Sequence, residues 1–382
     1  MKVVKALGLC AHMAASASYE DAIRAAAEAS DAAESPLFKG AVKGLKKQQR
    51  RNNDQGLPNI VLILADDQST LLDSEEHMPK LKKLIADEGV TVTSMFVTTP
   101  VCCPSRSAIY TGLYIHNTKV YNNSAGSGGC SSLAWQVGPE RRSITYFLSE
   151  LGYATSFAGK YMNNYGYGDG NSSLEALPQC LNGTAAWDTN HMRTICAQRI
   201  EHVPRGWSNW QALRGNSVYY NYTLSNNGVV EVHGDDYATD YLTDLVKNRT
   251  VTFIRANAQQ NQRQPFFAVM AVPAAHEPSD PAPQFADYAV DAVAPRTPNF
   301  NLVMGTNGPG GDDGRHWMVA NVNGAPGGVA MNDTVVSFVD LLYRRRVATL
   351  QSVDDLVEEL LATISDVGEL SNTYVVYTAD NG

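Results

Sequence analysis

The sequence predicts an α/β protein built on a large, mostly parallel sheet with helices on both faces. Apolar runs of strand length alternate with stretches of helical periodicity along most of the chain, which is the order that a parallel sheet with crossover helices requires. Several of those runs are continuously apolar, as expected of strands that are buried on both faces. Hydrophobic residues make up 44% and charged residues 18% of the 382 residues, which is typical of a soluble globular chain.

The first elements follow this pattern from residue 59 onward. Ile60 to Ala65 is an uninterrupted apolar run and predicts a buried strand. Apolar residues then recur at helical spacing between Met78 and Ile85, and Gly89 is expected to end that helix. Residues 91–98 are rich in β-branched side chains and predict an extended segment, and Ser105 to Gly112 predicts the start of a helix.

The later elements repeat the alternation of strand and helix. Residues 161–235 are rich in Gly, Asn and Tyr and predict long surface loops around a small antiparallel piece. In the last helix, Ser352 with Asp355 predicts a cap that begins its second half. In chain order, the predicted elements are a helix over 143–151, a strand over 153–159, an antiparallel pair over 217–224 and 229–232, a helix over 240–256, a strand over 265–272, a long helix from 334 and a strand over 374–378.

Residues 1–57 differ from the rest, so we expect an N-terminal extension followed by one folded domain over 58–382. An Ala-rich stretch leads to a basic run there, which is more typical of a disordered or processed segment than of a binding patch. The first 17 residues carry a short apolar region and a small-residue site, so a signal peptide is an open alternative. No run approaches the ~18 apolar residues of a membrane span.

Charge and cysteine content restrict the class of protein further. A net charge of −9 argues against nucleic acid as a partner. Six cysteines are too few for a disulfide scaffold, and Cys180 and Cys196 are left open as either a disulfide or two free thiols. Six Asn-x-Ser/Thr sequons give some support to a secretory route.

Polar groups follow three of the apolar strands at the point where each strand ends. These groups are Asp66 with Asp67, His276, and Asp380 with Asn381. Because ligands bind at the carboxyl ends of parallel strands, we expect these side chains to share one edge of the sheet. Each Asp taken singly is a common cap or turn residue, but the repeated pattern favours a metal site. Carboxylate and amide oxygens suit Ca²⁺ or Mg²⁺ rather than Zn²⁺.

The stretch Cys102-Cys103-Pro104-Ser105-Arg106 is unusual in its residue types. Single cysteines are most often small buried hydrophobes, but two adjacent cysteines before Pro-Ser-Arg have little reason to arise from packing. Arginine is the residue type that best recognises a tetrahedral oxyanion by two parallel hydrogen bonds. The stretch therefore indicates a site for a tetrahedral oxyanion close to the acidic residues.

Residues Cys102 to Gly112 strongly resemble the signature of type I sulfatases, in which the first cysteine is converted to formylglycine. The resemblance covers about residues 58–382. It implies an alkaline-phosphatase-like superfold and a sulfatase catalytic domain. The family also has a smaller C-terminal subdomain and a downstream active-site lysine, so the domain is expected to be incomplete at its C-terminus. Other segments that resemble family motifs are Asn59–Asp67, Gly159–Tyr161, Ala275–Pro278 and Thr378–Gly382.

The resemblance implies hydrolysis of sulfate monoesters through formylglycine at position 102 and one bound Ca²⁺. In this reading Arg106 stabilises the nucleophile, Lys160 and His276 bind the sulfate oxygens, and His276 protonates the leaving alcohol. The implied metal ligands are Asp66, Asp67, Cys102 in its modified form, Asp380 and Asn381. The implied partners are a small sulfate ester or a sulfated glycan and the formylglycine-generating enzyme, and the implied location is the secretory pathway, extracellular, periplasmic or lysosome-like.

One further departure from the family pattern and two alternatives accompany this interpretation. Met162 stands where many relatives carry histidine, and Asn163 or Asn164 is a candidate replacement. His316 is a candidate extra substrate contact. The alternatives are a phosphodiesterase or phosphonate hydrolase of the same superfold, and a non-catalytic binding protein or inactive fragment. An aryl sulfate and a sulfated sugar both fit the sequence.

Overall fold

A mixed seven-stranded sheet organises the part of the chain that the structure, a computed structural model, describes: residues 57–124, 129–167, 200–260, 264–298, 300–301 and 330–382. Its strands are β1 (Asn59–Ala65), β2 (Ala154–Lys160), β3 (Asn209–Leu213), β4 (Thr223–Asn226), β5 (Val229–Val232), β6 (Phe266–Ala271) and β7 (Thr373–Ala379). The strand order is β5-β4-β3-β2-β6-β1-β7. The strands from β3 to β7 in this order are mutually parallel, whereas β3–β4 and β4–β5 pair antiparallel. The predicted mostly parallel sheet is confirmed.

Helices cover both faces of this sheet. The α-helices in the described residues are α1 (Pro79–Leu81), α2 (Cys102–Thr111), α3 (Ile115–Thr118), α4 (Leu133–Val137), α5 (Ile144–Glu150), α6 (Tyr237–Asp240), α7 (Leu242–Ala258) and α8 (Asp333–Asp366). Short 3-10 turns occupy Thr70–Leu72, Ser74–His77, Pro139–Arg142, Pro283–Phe285 and Leu370–Asn372, and a π turn occupies Lys82–Ala86. Helices α7 and α8 pack on one face, and α2 and α5 lie on the other.

Strand β1 shows why the sheet has two cores. Val61 and Ile63 point into the core that α7 and α8 cover, and Leu64 points into the second core beside Phe157 and Trp210. All five side chains are fully buried. A strand that is buried on both faces has no polar side to alternate with, so its sequence is a continuous apolar run.

Two predictions for the residues around position 100 are wrong. Residues 91–98 form no strand, and Val92, Met95 and Phe96 are exposed there. A β-prone segment needs a hydrogen-bonded neighbour to form a strand, and no described strand pairs with this one. Helix α2 begins at Cys102 rather than Ser105, because the amide of Ser105 already donates to the carbonyl of Val101 at 3.0 Å.

The predicted cap inside the last helix is also wrong. Helix α8 runs without a break from Asp333 to Asp366, and Ser352 is buried in its middle. The acid that caps a helix here is Asp354, whose carboxylate accepts from the amides of Lys80 at 3.0 Å and Leu81 at 2.7 Å in α1. The capping chemistry therefore joins two helices that lie far apart in the sequence.

Strand β3 is absent from the prediction. Its five residues lie in the Gly-, Asn- and Tyr-rich tract, and they are too few to stand out by periodicity. Trp210 is nevertheless fully buried, and β3 extends the parallel part of the sheet beyond β2. The predicted N-terminal extension, Cys180, Cys196 and His316 fall outside the described residues. Among the described helices, none has the length and apolar character needed to cross a membrane.

Candidate active site and metal centre

The carboxyl ends of the central strands bring the predicted acidic residues together. Asp66 and Asp67 follow β1 and Asp380 follows β7, and these strands are neighbours with Ala65 opposite Ala379. Cys102 reaches the same place as the first residue of α2. One ligand atom from each of these four residues lies within 4.8 Å of the other three. The predicted juxtaposition at one sheet edge is confirmed.

Two buried cations neutralise this cluster. The Nε of Arg106 donates to Asp380 at 2.9 Å, and its Nη2 donates to Asp66 at 3.1 Å. The Nζ of Lys160 donates to both carboxylate oxygens of Asp66, at 2.9 and 2.7 Å. Arg106 also donates to the main-chain carbonyl of Lys160 at 2.6 Å. All four side chains are fully buried, where a charge is tolerated only with a partner of opposite sign.

The glycine before Lys160 has no room for a side chain. Gly159 has φ of 107°, and a Cβ on that glycine would sit 1.9 Å from the carbonyl oxygen of Ala271. Any other residue would clash with β6 and would also be strained at this φ. The Gly-Lys pair is therefore required as a unit by the packing of the site.

The two fully buried carboxylates differ in their electrostatics. Burial alone would raise the pKa of Asp66, but Lys160 and Arg106 outweigh it and hold that pKa well below its usual value. Burial raises the pKa of Asp380, Arg106 opposes this, and the Asp66 carboxylate adds to the rise. Two adjacent carboxylates repel one another, so a divalent cation between them would favour their ionised forms.

The hydrogen bonding of the Asn381 side chain indicates whether the cluster fits a metal ion. Its Nδ2 donates to Asp67 at 2.7 Å, whereas its Oδ1 is buried and has no hydrogen-bond partner. A buried amide oxygen without a donor is costly unless a cation satisfies it. With the oxygens of Asp66, Asp67 and Asp380, it completes a set of hard donors of the kind that Ca²⁺ takes. The residues fit a calcium ion.

Cys102 is the exception in this donor set. Its thiol is soft, and Ca²⁺ prefers oxygen ligands. Burial raises the pKa of the Cys102 thiol, with Lys160 acting against this and the three carboxylates adding to it. The cysteine is therefore held as a neutral thiol, which is a poor nucleophile and a poor ligand for this centre.

His276 lies at the more exposed side of the cluster. Its Nδ1 is 2.6 Å from the carbonyl oxygen of Glu277, which can only accept, so Nδ1 carries the proton. Its Nε2 faces Asp67 at 3.7 Å and the Nδ2 of Asn216 at 3.5 Å. The hydrogen bond at Nδ1 fixes the tautomer and turns the other ring nitrogen toward the acidic cluster.

The structure thus brings together every predicted site residue within the described ranges, whereas their individual roles stay a prediction. Met162 is fully buried in the core beside Tyr161, so its side chain belongs to the packing. Asn164 donates its Nδ2 to the carbonyl of Asn123 at 2.5 Å, and the amide of Asn163 donates to the sulfur of Cys103 at 3.2 Å.

Sequence reasoning missed two residues that contact this site. Ser217 donates its hydroxyl to the Asp66 carboxylate in a close hydrogen bond. It follows β3, so the same signal of a strand that ends in polar residues would have found it once β3 was recognised. Arg346 of α8 donates to the main-chain carbonyl of Asp67, and a single arginine in a helix gives no signal of such a contact.

A disulfide joins Cys103 to Cys130, with their Cα atoms 5.3 Å apart. The sequence alone assigns no partner to Cys103, because its partner lies 27 residues away in the chain. The disulfide ties the first turn of α2 to the segment that leads into α4. Among the cysteines that the structure describes, Cys102 is the free one.

Replacing both Cys103 and Cys130 with serine is expected to lower the free energy of unfolding by about 3 kcal/mol, because the crosslink closes a loop with a sequence separation of 27 residues. Urea unfolding of the double variant against the parent protein measures this change. Peptide mapping without reductant should show the 103–130 link in the parent. Two free thiols at these positions would contradict the assignment.

Fold and site together define an α/β protein with an acidic centre of metal-binding type at the carboxyl edge of a parallel sheet. A sequence model of the sulfatase family matches residues 58–382. The chain therefore belongs to the sulfatase family, and the family and the alkaline-phosphatase-like fold class that the signature implies are confirmed.

Known proteins place the chain within this family. Human N-acetylglucosamine-6-sulfatase is 40% identical over 326 residues, which are 85% of this chain and 51% of the human protein. An extracellular sulfatase homologue of Drosophila melanogaster is 37% identical over 85% of this chain and 25% of its own length. A protein solved with its substrate D-glucosamine-2-N,6-O-disulfate has a TM-score of 0.55 at 19% identity, over 85% of this chain and 65% of that one. The chain spans about half or less of these curated relatives.

Proposed function

We propose that the protein hydrolyses sulfate monoesters, with formylglycine at position 102 as the nucleophile and Ca²⁺ in the acidic centre. The observation that carries the proposal is the cluster of Asp66, Asp67, Cys102 and Asp380 within 4.8 Å. Together with the buried Arg106 and Lys160, it joins a metal-type donor set and cationic groups around one reactive position. Membership of the sulfatase family supports this reading of the cluster.

Position 102 is suited to the nucleophile by its surroundings. The hydrated aldehyde of formylglycine would supply a hydroxyl for attack on sulfur, and it would replace the soft thiol by oxygen, which fits the other donors. As the first residue of α2, position 102 lies at the positive end of a ten-residue helix. That end favours the sulfate anion and the negative charge that develops during attack.

Four residues would hold the metal, namely Asp66, Asp67, Asp380 and Asn381. A bound Ca²⁺ supplies Lewis-acid stabilisation of negative charge at the nucleophile and at the sulfate oxygens. Arg106 keeps Asp66 and Asp380 ionised and in place through its two hydrogen bonds. It also adds fixed positive charge beside the reactive position, which favours the transition state without reorganisation.

Lys160 and His276 would act on the substrate. Lys160 lies buried beside Asp66, and its charge would attract a sulfate oxygen once the ester enters. His276 presents its Nε2 at the open side, where a leaving alcohol can depart. Because the Nδ1 proton is retained by Glu277, an added proton resides on Nε2 and can pass to the departing oxygen.

A sulfated amino sugar or glycan is the proposed substrate class, and an aryl sulfate is the competing class. The names of the relatives at 37–40% identity refer to N-acetylglucosamine-6-sulfatase and to extracellular sulfatase, which supports the glycan and a secretory location. A buried Cys103–Cys130 disulfide also fits an oxidising compartment. A formylglycine-generating enzyme is the partner that this mechanism requires.

The proposal is tested by turnover and mass spectrometry together. The protein, made in a host that matures sulfatases, is assayed with N-acetylglucosamine 6-sulfate, p-nitrophenyl sulfate and p-nitrophenyl phosphate, and the peptide with position 102 is weighed. We expect formylglycine at 102, preference for sulfate esters, and loss of turnover in EDTA that Ca²⁺ restores. An unmodified thiol with no turnover would reject the enzyme, and faster cleavage of the phosphate ester would favour a phosphoryl hydrolase.

A further inference from the structure

Three consecutive arginines of α8 donate hydrogen bonds to the loop that follows β6. Arg344 donates to the carbonyl of Ala292 at 3.1 Å, and Arg345 donates to the carbonyl of Ser279 at 3.2 Å and pairs with Asp280. The contacts of these two arginines lie outside the site, whereas the third arginine of the run contacts the residues that form it.

Arg346 spans two segments of the site with one guanidinium. Its Nη1 donates to the carbonyl of Ala275 at 3.1 Å, and its Nη2 donates closely to the carbonyl of Asp67. Ala275 directly precedes His276, and Asp67 is one of the proposed metal ligands. The helix thereby fixes the distance between the main chain that carries a ligand and the main chain that carries the histidine.

The two segments need such an anchor for different reasons. Asp67 has φ of 59°, a left-handed conformation that costs a non-glycine residue energy and needs support from its surroundings. The turn before His276 is held on its other side by Tyr219, whose hydroxyl donates to the carbonyl of His276 at 3.0 Å. Burial raises the pKa of Tyr219 well above its usual value, so this hydroxyl stays a donor. Arg346 adds a side-chain contact between this turn and Asp67. It reinforces the main-chain hydrogen bond from Asp66 to the carbonyl of Ala274 at 2.8 Å, which already joins the two segments.

We propose that Arg346 is a positioning residue that sets the orientation of Asp67 and His276 and thereby the affinity of the centre for Ca²⁺, an inference that rests on the proposed function. Arginine suits this task because its planar fork presents two donors in fixed directions. Lysine keeps the charge, but its three N–H donors radiate from one nitrogen on a flexible stem, so it cannot hold both carbonyls in the same geometry. Residues that orient a ligand in this way commonly change metal affinity by about 10–100-fold.

The test compares Arg346→Lys and Arg346→Ala with the matched controls Arg345→Lys and Arg345→Ala. Each full-length variant is stripped with EDTA and titrated with Ca²⁺ by calorimetry, and its melting temperature is recorded without metal. We expect Ca²⁺ affinity to fall about tenfold or more in both Arg346 variants, with the lysine variant the milder. The Arg345 variants should bind Ca²⁺ like the parent, although they lose a comparable contact with the same loop.

The outcomes separate this inference from the proposed function. Equal Ca²⁺ affinity in the parent and both Arg346 variants would overturn the positioning role while leaving the metal assignment intact. Equal losses in the Arg345 and Arg346 variants would overturn it as well, because they would show a general effect of loosening the loop. No Ca²⁺ binding by the parent would overturn the metal assignment and this inference together. For active protein, kcat should fall in the Arg346→Lys variant at saturating Ca²⁺ while its melting temperature stays near that of the parent.

Discussion

Cys102→Ala is expected to reduce sulfate ester hydrolysis by on the order of 10³-fold or more, because it removes the residue that carries the proposed nucleophile. The substitution is small and lies at the start of α2, so the melting temperature should change little. Initial rates with N-acetylglucosamine 6-sulfate, together with the thermal unfolding curve, measure both effects. Retention of more than a few per cent of the parent's rate would reject position 102 as the nucleophile.

The matched control is the neighbouring cysteine. Cys103→Ala removes the disulfide to Cys130, so the variant should be less stable but should keep its turnover well below its melting temperature. The two adjacent cysteines are thus expected to separate activity from stability. If both variants lost activity equally while folded, the expected separation of activity at position 102 from stability at position 103 would be refuted.

Arg106→Met should destabilise the protein by about 3–5 kcal/mol in EDTA at neutral pH, the range found when one partner of a buried ion pair is removed. Asp66 would keep Lys160, but Asp380 would lose its salt bridge inside a fully buried site. Chemical denaturation of the parent and the variant at several pH values measures the loss. A similar substitution at the partly exposed Arg255 serves as the control, since its ion pair with Glu359 lies at the surface.

The loss should shrink as the pH falls. Without Arg106, burial and Asp66 raise the pKa of Asp380 further, and a carboxyl group with a raised pKa is destabilising when ionised and harmless when protonated. The variant therefore approaches the parent below the folded-state pKa of Asp380. Asp66 works in the opposite sense in the parent, because its lowered pKa stabilises the fold above the unfolded-state value and this is lost in acid. A deficit that is independent of pH would contradict the electrostatic explanation.

The parallel sheet was predictable because burial on both faces leaves a clear trace in the sequence. Strands β1 and β6 are apolar runs of the right length, and a polar residue of the site follows each of them. Strand β7 lies at the edge of the sheet with Tyr374 and Val376 exposed, so its signal is the acid that follows it. Strand β3 left no such trace, because five residues within a Gly- and Asn-rich tract are too short to show a period. The failure at residues 91–98 has the opposite cause: their β propensity is high, but no described strand pairs with them.

The acidic cluster was predictable for the same reason that the sheet was, whereas its supports were not. Asp66 and Asp380 stand at strand ends, and the topology alone brings strand ends together. The contacts of Ser217 and Arg346 depend on side chains that cross from other elements, and such contacts are not encoded in local spacing. The pairing of Cys103 with Cys130 likewise depends on where a loop returns in space.

The position of β1 between β6 and β7 determines when during synthesis the central sheet can form. Asn59 at the start of β1 is hydrogen-bonded to Phe266 of β6 and Thr373 of β7, which follow it in the chain by 207 and 314 residues. The two neighbouring strands of β1 are therefore synthesised much later than β1 itself. Ser105, in the same helical turn as Cys102, donates to the carbonyl of Asp380 across 275 positions. At about 5–20 residues per second, roughly 15–55 s pass between the emergence of these two residues. During that interval residue 102 belongs to an unfinished chain, so the proposed conversion to formylglycine has time to take place before the sheet closes over it.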